Sequence, residues 1–244
     1  EKNRTNPVEV ILAALEMQEY MKNLKEASLI QGMKYWDIRI GIHTGTVIAG
    51  VVGHKKLSYD IWGDTVNIAS RMESSGEAGK INISGATYEF VKDFFICEYR
   101  GKMPVKYKGE LDMYFVKEII PELSDENGFP NNGFRFKMQL IKLQDVEETV
   151  NKMFIDEAPP SLLFHNAQLA VSITSQAELI ATAEGLPLEQ YVNLKLASIF
   201  LMTGYLSDYN NPADASCKLM GEMLPRYGFD ECYIISARDL INNS

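Results

Sequence analysis

The chain has 244 residues, of which 46% are hydrophobic and 23% charged, as in an ordinary folded globular protein. Residues 1–120 hold 16 basic and 16 acidic residues, whereas residues 121–244 hold 8 and 17, so neither part has the basic excess of a nucleic-acid-binding surface. No apolar run reaches the ~18–20 residues of a membrane span. Three cysteines without a CxxC pair favour a reducing, cytoplasmic compartment over a disulfide framework or a zinc site. A membrane anchor elsewhere in a longer parent protein stays open.

The predicted elements of the first part begin with a helix. Asn6 and Pro7 suit the N-cap and the first helical position, and an amphipathic pattern continues to about Ala27. The alternating sequence WDIRIGIH predicts a strand from Trp36 to His43, which a turn at Gly45 would join to a second strand in a hairpin. The further predicted elements are that second strand at 47–52, helices at 65–74 and 86–93, strands at 80–84, 95–99 and 113–116, and a basic loop at 102–108.

The second part of the chain is predicted to be helical. Residues 121–134 are rich in Pro, Gly, Asn and acidic side chains, which predicts a linker between a first domain at 1–120 and a second at 135–244. The predicted helices of the second domain are 136–153, 161–183, 187–205, 212–225 and 231–242.

The most informative segment is YDIWGDTVNIASRME at 59–73. It places Asp60, Asn67 and Arg71 around an apolar run, and these residue types suit a site that reads a base edge, holds a sugar and stabilises phosphoryl transfer. Asn67 and Arg71 are four residues apart, so a helix would present them on one face.

Four ordered motifs resemble the later half of the class III nucleotide cyclase catalytic domain, the adenylate and guanylate cyclase family. They are RIGIHTGTVIAGVVG at 39–53, YDIWGDTVNIASRMESSG at 59–76, INISGATYEFV at 81–91 and VKYKGELDMYFV at 105–116. Several motifs in order are a stronger signal than one short pattern. The resemblance covers about half of the chain and implies an α+β fold, a truncated ferredoxin-like domain with an antiparallel sheet.

The resemblance also implies a function, the conversion of ATP to 3′,5′-cyclic AMP and pyrophosphate in signal transduction. By similarity, Arg71 would contact the α-phosphate, Asn67 would orient the ribose, and Lys106 would bind the terminal phosphates, with Lys108 as the runner-up. Asp60 matches the position that reads the purine edge. A carboxylate there accepts from the adenine amino group, whereas guanylate-specific relatives carry a small thiol residue, so Asp60 favours ATP.

Each of these residues also has a simpler interpretation. Asn67 and Arg71 could form an exposed polar helix face, Asp60 could begin a turn toward Gly63, and the lysines at 102–108 could be a solvated loop. Two alternatives to an adenylate cyclase stay open. One is a non-catalytic pseudo-cyclase that binds nucleotide as a scaffold, and the other is a guanylate cyclase.

The resemblance further implies Mg²⁺ or Mn²⁺, bound by two aspartates in the first half of the family's domain. The early acidic residues Glu1, Glu9, Glu16 and Glu19 match neither position, so we expect no metal ligands in this chain and no activity of the chain alone. In this family the site forms between two cyclase domains, so a homodimer with a second cyclase domain is the expected partner arrangement. An exposed sheet edge would also favour association or strand exchange.

Residues 160–242 weakly resemble the HD phosphohydrolase superfamily. In that alignment Leu169 stands at the first ligand position and Ser207 replaces the histidine of the second, which leaves Asp208 alone. Because leucine and serine do not hold a divalent ion, the resemblance implies a degenerate, all-α HD-like domain without a metal site. An unrelated helical bundle is the alternative.

Overall fold

A computed structural model describes residues 3–53, 57–105, 109–160 and 162–244. The chain divides into two compact units, one formed by Thr5–Phe134 and the other by Glu1–Arg4 with Arg135–Ser244. The division falls after Phe134, in the first turn of a helix that begins at Asn132.

The described residues of the first unit form three α-helices and six strands. Helix α1 includes Asn6 itself, and its N-cap is Thr5 rather than the predicted Asn6. In chain order the elements are α1 (Asn6–Ile30), β1 (Ile40–Ile42), β2 (Ile48–Val52), β3 (Ser58–Trp62), α2 (Asp64–Ser74), β4 (Ile81–Ser84), α3 (Gly85–Val91), β5 (Phe95–Val105) and β6 (Gly109–Ile119).

The strands form a four-stranded sheet in the order β1-β4-β6-β5 and a separate antiparallel pair, β2 with β3. The predicted hairpin between the first two strands is wrong, because β1 pairs with β4 and β2 pairs with β3. The sheet is also mixed rather than antiparallel, since β1 runs parallel to β4 while β4, β6 and β5 alternate in direction. The mixed α+β class is confirmed.

The first strand is shorter than predicted. Alternation suggested a strand from Trp36 to His43, but only Ile40–Ile42 pairs, in register with Ile81–Ile83 of β4. A residue pattern shows which side chains suit a sheet, whereas the length of a strand depends on the partner that it finds. Trp36 is 81% exposed, outside this pairing.

Helix α2 packs closely on β1. A Cβ atom at Gly41 would lie 1.9 Å from the Glu73 backbone nitrogen, so only glycine permits this approach. On its buried side α2 contributes two side chains to a small core under the β5–β6 hairpin, composed of Ile68, Met72, Met103 and Met113 with Leu111 packed against them. This core holds α2 to the sheet.

The β5–β6 hairpin is longer than predicted. Its strands pair from Phe95 with Ile119 to Val105 with Gly109, with register irregularities at Ile96/Cys97 and Tyr99/Gly101. The predicted strand 95–99 is the first part of β5, and the predicted strand 113–116 is the middle of β6. Part of the predicted basic loop therefore belongs to β5.

The segment 121–134, which the sequence predicts to be a linker, contains ordered structure in its described residues. Pro121–Leu123 form a 3₁₀ turn, and an isolated bridge joins Ser124 to Pro130. The Phe134 ring packs edge-on against Phe94 and Phe95, with ring centroids 5.0 Å and 6.0 Å away.

The described residues of the second unit form helices and 3₁₀ turns. They surround a core that includes Leu143, Val150, Leu196, Phe200 and Leu224, each almost fully buried. The helices are α4 (Asn132–Glu157), which begins in the first unit, α5 (Ala167–Ala183), α6 (Leu188–Phe200), α7 (Pro212–Met223) and α8 (Glu231–Asn242), with 3₁₀ turns at Thr203–Leu206 and Leu224–Tyr227.

Lys195 forms a charge cluster in the second unit. Its ammonium lies 3.2 Å from Glu147 and 3.1 Å from Glu178, and Tyr191 donates to the other Glu178 oxygen. Although partial burial alone would lower the pKa of Lys195, attraction to Glu147 and the bond to Glu178 raise it. Among the described helices, none combines the length and apolar character needed to cross a bilayer.

Candidate functional site

Helix α2 carries two of the predicted site residues on one face. It begins at Asp64, after Gly63 adopts a φ of 133° that favours glycine, and it ends at Ser74. Ile68 and Met72 lie on its buried face, whereas Asn67 and Arg71 are exposed. The amphipathic spacing thus leaves both polar side chains open to a ligand, one helical turn apart.

Asp60 lies on β3, the strand that leads into α2. All five residues of β3 are exposed, and Asp60 stands opposite Gly50 of β2. Its Oδ1 accepts a hydrogen bond from the Ile61 backbone N–H at 2.8 Å. That bond occupies one carboxylate oxygen and steadies the side chain against its own strand.

The start of α2 is tied to the segment before β2. The Thr65 hydroxyl donates to the Thr46 carbonyl at 2.6 Å, and a Cβ at Gly45 would meet the same hydroxyl at 2.6 Å. Glycine at position 45 therefore allows the close approach between the segment before β2 and the start of α2.

Arg71 contacts the β5 strand. Its Nη1 donates to the Pro104 carbonyl at 3.4 Å, a long hydrogen bond. A guanidinium has five N–H donors in a fixed plane, so one weak bond orients the group and leaves donors for an anion. The fold in this way aims the side chain without neutralising it.

The fourth predicted site residue, Lys106, and its neighbour Lys108 lie outside the described residues. The described residues on either side belong to paired strands, with Pro104 opposite Glu110. Lys102 lies 3.9 Å from Glu110, and both side chains are largely exposed.

The carboxylates described around α2 do not fit a divalent metal site. Glu73 pairs with Arg39 at 2.9 Å, and Asp60 accepts from its own strand. In the described ranges no group of three His, Cys, Asp or Glu side chains could hold an ion. His43 Nδ1 instead lies 2.7 Å from the Ser84 hydroxyl. Glu73 and Asp60 are thus engaged by protein partners, and the described residues around α2 offer no ligand set for a divalent ion.

Sequence reasoning missed the contacts that hold α2 in place from β5. Arg100 donates to the Ser75 carbonyl at 2.5 Å, and the Ser75 hydroxyl contacts the Met103 sulfur at 3.1 Å. The available signal was Arg100 followed by Gly101, which has a φ of +98° at a strand irregularity. Such a bulge redirects a neighbouring side chain out of the regular alternation.

Comparisons with known proteins agree with the cyclase resemblance. The family described as "Adenylate and Guanylate cyclase catalytic domain" matches residues 1–118. An adenylate cyclase from Mycobacterium bovis is 46% identical over 79 residues, which are 32% of this chain and 18% of that protein. Guanylate cyclase 32E from Drosophila melanogaster is 40% identical over 121 residues, 48% of this chain and 10% of that protein.

A solved structure is also similar, the adenylyl cyclase CyaB from P. aeruginosa. It shows 32% identity, and the match covers 51% of this chain and 65% of that one with a TM-score of 0.47. This chain spans less than a fifth of the length of the curated relatives named above. The predicted resemblance of the first part of the chain to the adenylate and guanylate cyclase catalytic domain is confirmed.

Proposed function

We propose that this chain supplies the nucleotide-contacting half of an adenylate cyclase catalytic site, in a parent protein that converts ATP to 3′,5′-cyclic AMP and pyrophosphate. The observation that carries the proposal is the exposed pair Asn67 and Arg71 on one face of α2, a helix held on the sheet through its other face. Relatives named as adenylate and as guanylate cyclases support the cyclase reaction, and the choice of ATP rests on Asp60.

In the proposed reaction the ribose 3′-hydroxyl attacks the α-phosphate of the same nucleotide. Arg71 donates to the α-phosphate oxygens as charge develops there, and Asn67 orients the ribose. Lys106 binds the terminal phosphates. These groups act mainly by position and charge, because a cyclisation within one nucleotide needs the hydroxyl aligned with the phosphorus.

Asp60 selects the base in this proposal. The carboxylate accepts from the adenine amino group, while the carbonyl at the same edge of guanine would face it as a second acceptor. A site that hydrogen-bonds one edge discriminates strongly, because the wrong base leaves buried polar groups unpaired.

The parent enzyme uses Mg²⁺ or Mn²⁺, held by residues outside this chain, and those ions supply Lewis-acid stabilisation of the phosphates. A second cyclase domain, in a homodimer, completes the site, and the reaction takes place in the cytoplasm. For the second unit we propose a degenerate HD-like helical domain with a regulatory or dimerisation role.

Arg71→Ala tests the catalytic assignment. In the complete parent with ATP and Mn²⁺ we expect kcat to fall by roughly 10²–10³-fold, the usual loss on removing a transition-state donor. Arg135→Ala, which removes an exposed arginine of α4, is the matched control and should retain parental turnover. Near-parental turnover by Arg71→Ala would discard the role of Arg71.

The parent itself separates the alternatives. Binding of ATP without formation of cyclic AMP would identify the pseudo-cyclase and refute the enzyme. A preference for GTP in direct competition would identify a guanylate cyclase. Asp60→Cys should shift the preference of an adenylate cyclase toward GTP, and an unchanged ratio of kcat/KM values would remove Asp60 from base recognition.

The expected inactivity of this chain alone is tested by reconstitution. The purified chain should form no cyclic AMP, and activity should appear when a chain that carries the metal-binding half is added. Turnover by the chain alone would contradict the placement of the metal ligands outside it.

A further inference from the structure

One short stretch of β5 makes three contacts with the last turn of α2. Arg100 donates to the Ser75 carbonyl, Met103 accepts the Ser75 hydroxyl, and the Pro104 carbonyl accepts from Arg71. We name Arg100, Met103 and Pro104 the β5 bracket. Its three contacts reach both the end of the helix and the side chain assigned to the α-phosphate.

Arg100 is the charged member of the β5 bracket. Its Nη1 lies 2.5 Å from the Ser75 carbonyl oxygen, and its guanidinium carbon lies 4.3 Å over the centre of the Phe115 ring. The cation–π contact with the ring and the hydrogen bond to Ser75 together restrict the Arg100 side chain. The irregularity at Tyr99/Gly101 directs it toward the helix.

The position of this contact suits a helix C-terminus. The last carbonyls of a helix lack intrahelical donors, and the helix dipole places negative charge there, so a guanidinium satisfies both. Ser75 is the C-cap residue of α2, and its own N–H donates to the Arg71 carbonyl at 2.9 Å. Arg100 is thus two hydrogen bonds away from the Arg71 backbone.

We propose that Arg100 is a positioning residue that holds the last turn of α2, and with it Arg71, in the geometry needed for catalysis. This inference rests on the proposed function for its catalytic consequence. Without Arg100 the turn loses its charge-assisted cap, and among the described contacts the long bond to the Pro104 carbonyl still orients the Arg71 side chain. A displacement of about 1 Å at a group that contacts the transition state can cost up to 10²-fold in rate.

The kinetic test uses Arg100→Met in the complete parent, with Arg100→Lys as the conservative variant. We expect kcat to fall about 10–100-fold with the KM for ATP within about threefold, because Arg71 acts mainly in the transition state. Arg100→Lys keeps the charge and a donor and should recover part of the loss. A change confined to KM, or parental kcat in Arg100→Met, would overturn the proposal.

Lys117→Met is the matched control. Lys117 also lies over the Phe115 ring, at 5.9 Å, and pairs with Glu98. Lys117→Met removes a cation from the face of the same ring but leaves Arg100 in place, so this variant should keep the parental kcat. A loss equal to that of Arg100→Met would assign the effect to the ring or the general charge and would refute positioning through α2.

A double-mutant cycle distinguishes positioning from a general structural role. If Arg100 acts through Arg71, Arg100→Met should have almost no further effect on kcat in an Arg71→Ala background. A multiplicative loss in the double variant would mean that Arg100 supports turnover independently of Arg71, which contradicts the proposal.

Hydrogen exchange gives a readout that needs no turnover. The Ser75 amide should exchange at least about tenfold faster in Arg100→Met, while the Ile83 amide in β4 should keep its rate. Unchanged Ser75 exchange would refute the cap itself. Faster exchange in a parent that makes no cyclic AMP would support the structural step and reject the proposed function.

Discussion

The four-stranded sheet and the β2–β3 pair contribute to the same candidate site but differ in how they are held. Every residue of β4 is buried, whereas every residue of β3 is exposed. The sheet supports α2 through a packed core, while in the described residues β3 pairs with β2 alone.

This difference separates the two ends of the proposed nucleotide site. Arg71, at the phosphate end, sits on a helix that is packed on the sheet through a buried core, so its position is set before a ligand binds. Asp60, at the base end, sits on an exposed pair with Ile48 71% and Tyr59 70% exposed. Exposed apolar side chains that are grouped in this way are typical of interaction surfaces.

The largest expected effect on the free energy of unfolding comes from replacing a glycine of the four-stranded sheet. Gly41→Ala should lower the free energy of unfolding by about 4 kcal/mol or more, because its Cβ would collide with the α2 backbone. Gly50→Ala in β2 is the matched control, since its Cβ would meet Trp62 at 3.4 Å, an ordinary contact. Urea unfolding measures the free energy of unfolding of both variants. Equal midpoints would contradict the contrast between the four-stranded sheet and the β2–β3 pair.

A second comparison uses apolar side chains. Met72 is fully buried on the inner face of α2. Met72→Ala should therefore lower the free energy of unfolding by about 3 kcal/mol, through lost contacts and a cavity. Val51 in β2 is 63% exposed, and Val51→Ala should change stability by less than about 0.5 kcal/mol. The same urea titration tests this comparison. A large loss of unfolding free energy in Val51→Ala would show that the β2–β3 pair is packed against other residues.

The last prediction concerns the reactivity of a thiol in the sheet and involves no change in the free energy of unfolding. Burial raises the pKa of Cys97 in β5 from 9.0 to about 11, which lowers its thiolate fraction about 100-fold near pH 8. Iodoacetamide should therefore modify Cys97 about that much more slowly in the folded chain than in urea. Mass spectrometry measures the labelling at each cysteine, with the exposed Cys232 as the internal reference. Equal rates for Cys97 in both states would mean that the sheet opens at this strand.

The sequence predicted the helices well where a start or stop signal was local. The helix at 231–242 has the predicted bounds, and α2 differs from its prediction by one residue. Its helical spacing also predicted that Asn67 and Arg71 share a face, as they do. Such features depend on neighbours within one or two turns, which the order of residues contains directly.

Pairing between strands could not be predicted in the same way. The WDIRIGIH segment has the alternation of a strand, but alternation does not name a partner, and β1 joins β4 rather than β2. The same limit hid Arg100, because the Arg100–Gly101 pair suggests a bulge but does not identify the distant helix end that the arginine reaches. Both outcomes depend on contacts between residues far apart in the chain.

The sequence alone determined the motifs of the cyclase resemblance, the residue types at positions 60, 67 and 71, and the helical character of residues 135–244, since each is set by identity and local spacing. Only the tertiary structure decided the strand order, the close packing of Gly41 on α2 and the β5 bracket around Ser75. The physical reason is that hydrogen-bond partners and packing distances are properties of segments brought together by folding, and the same local pattern is compatible with several such arrangements.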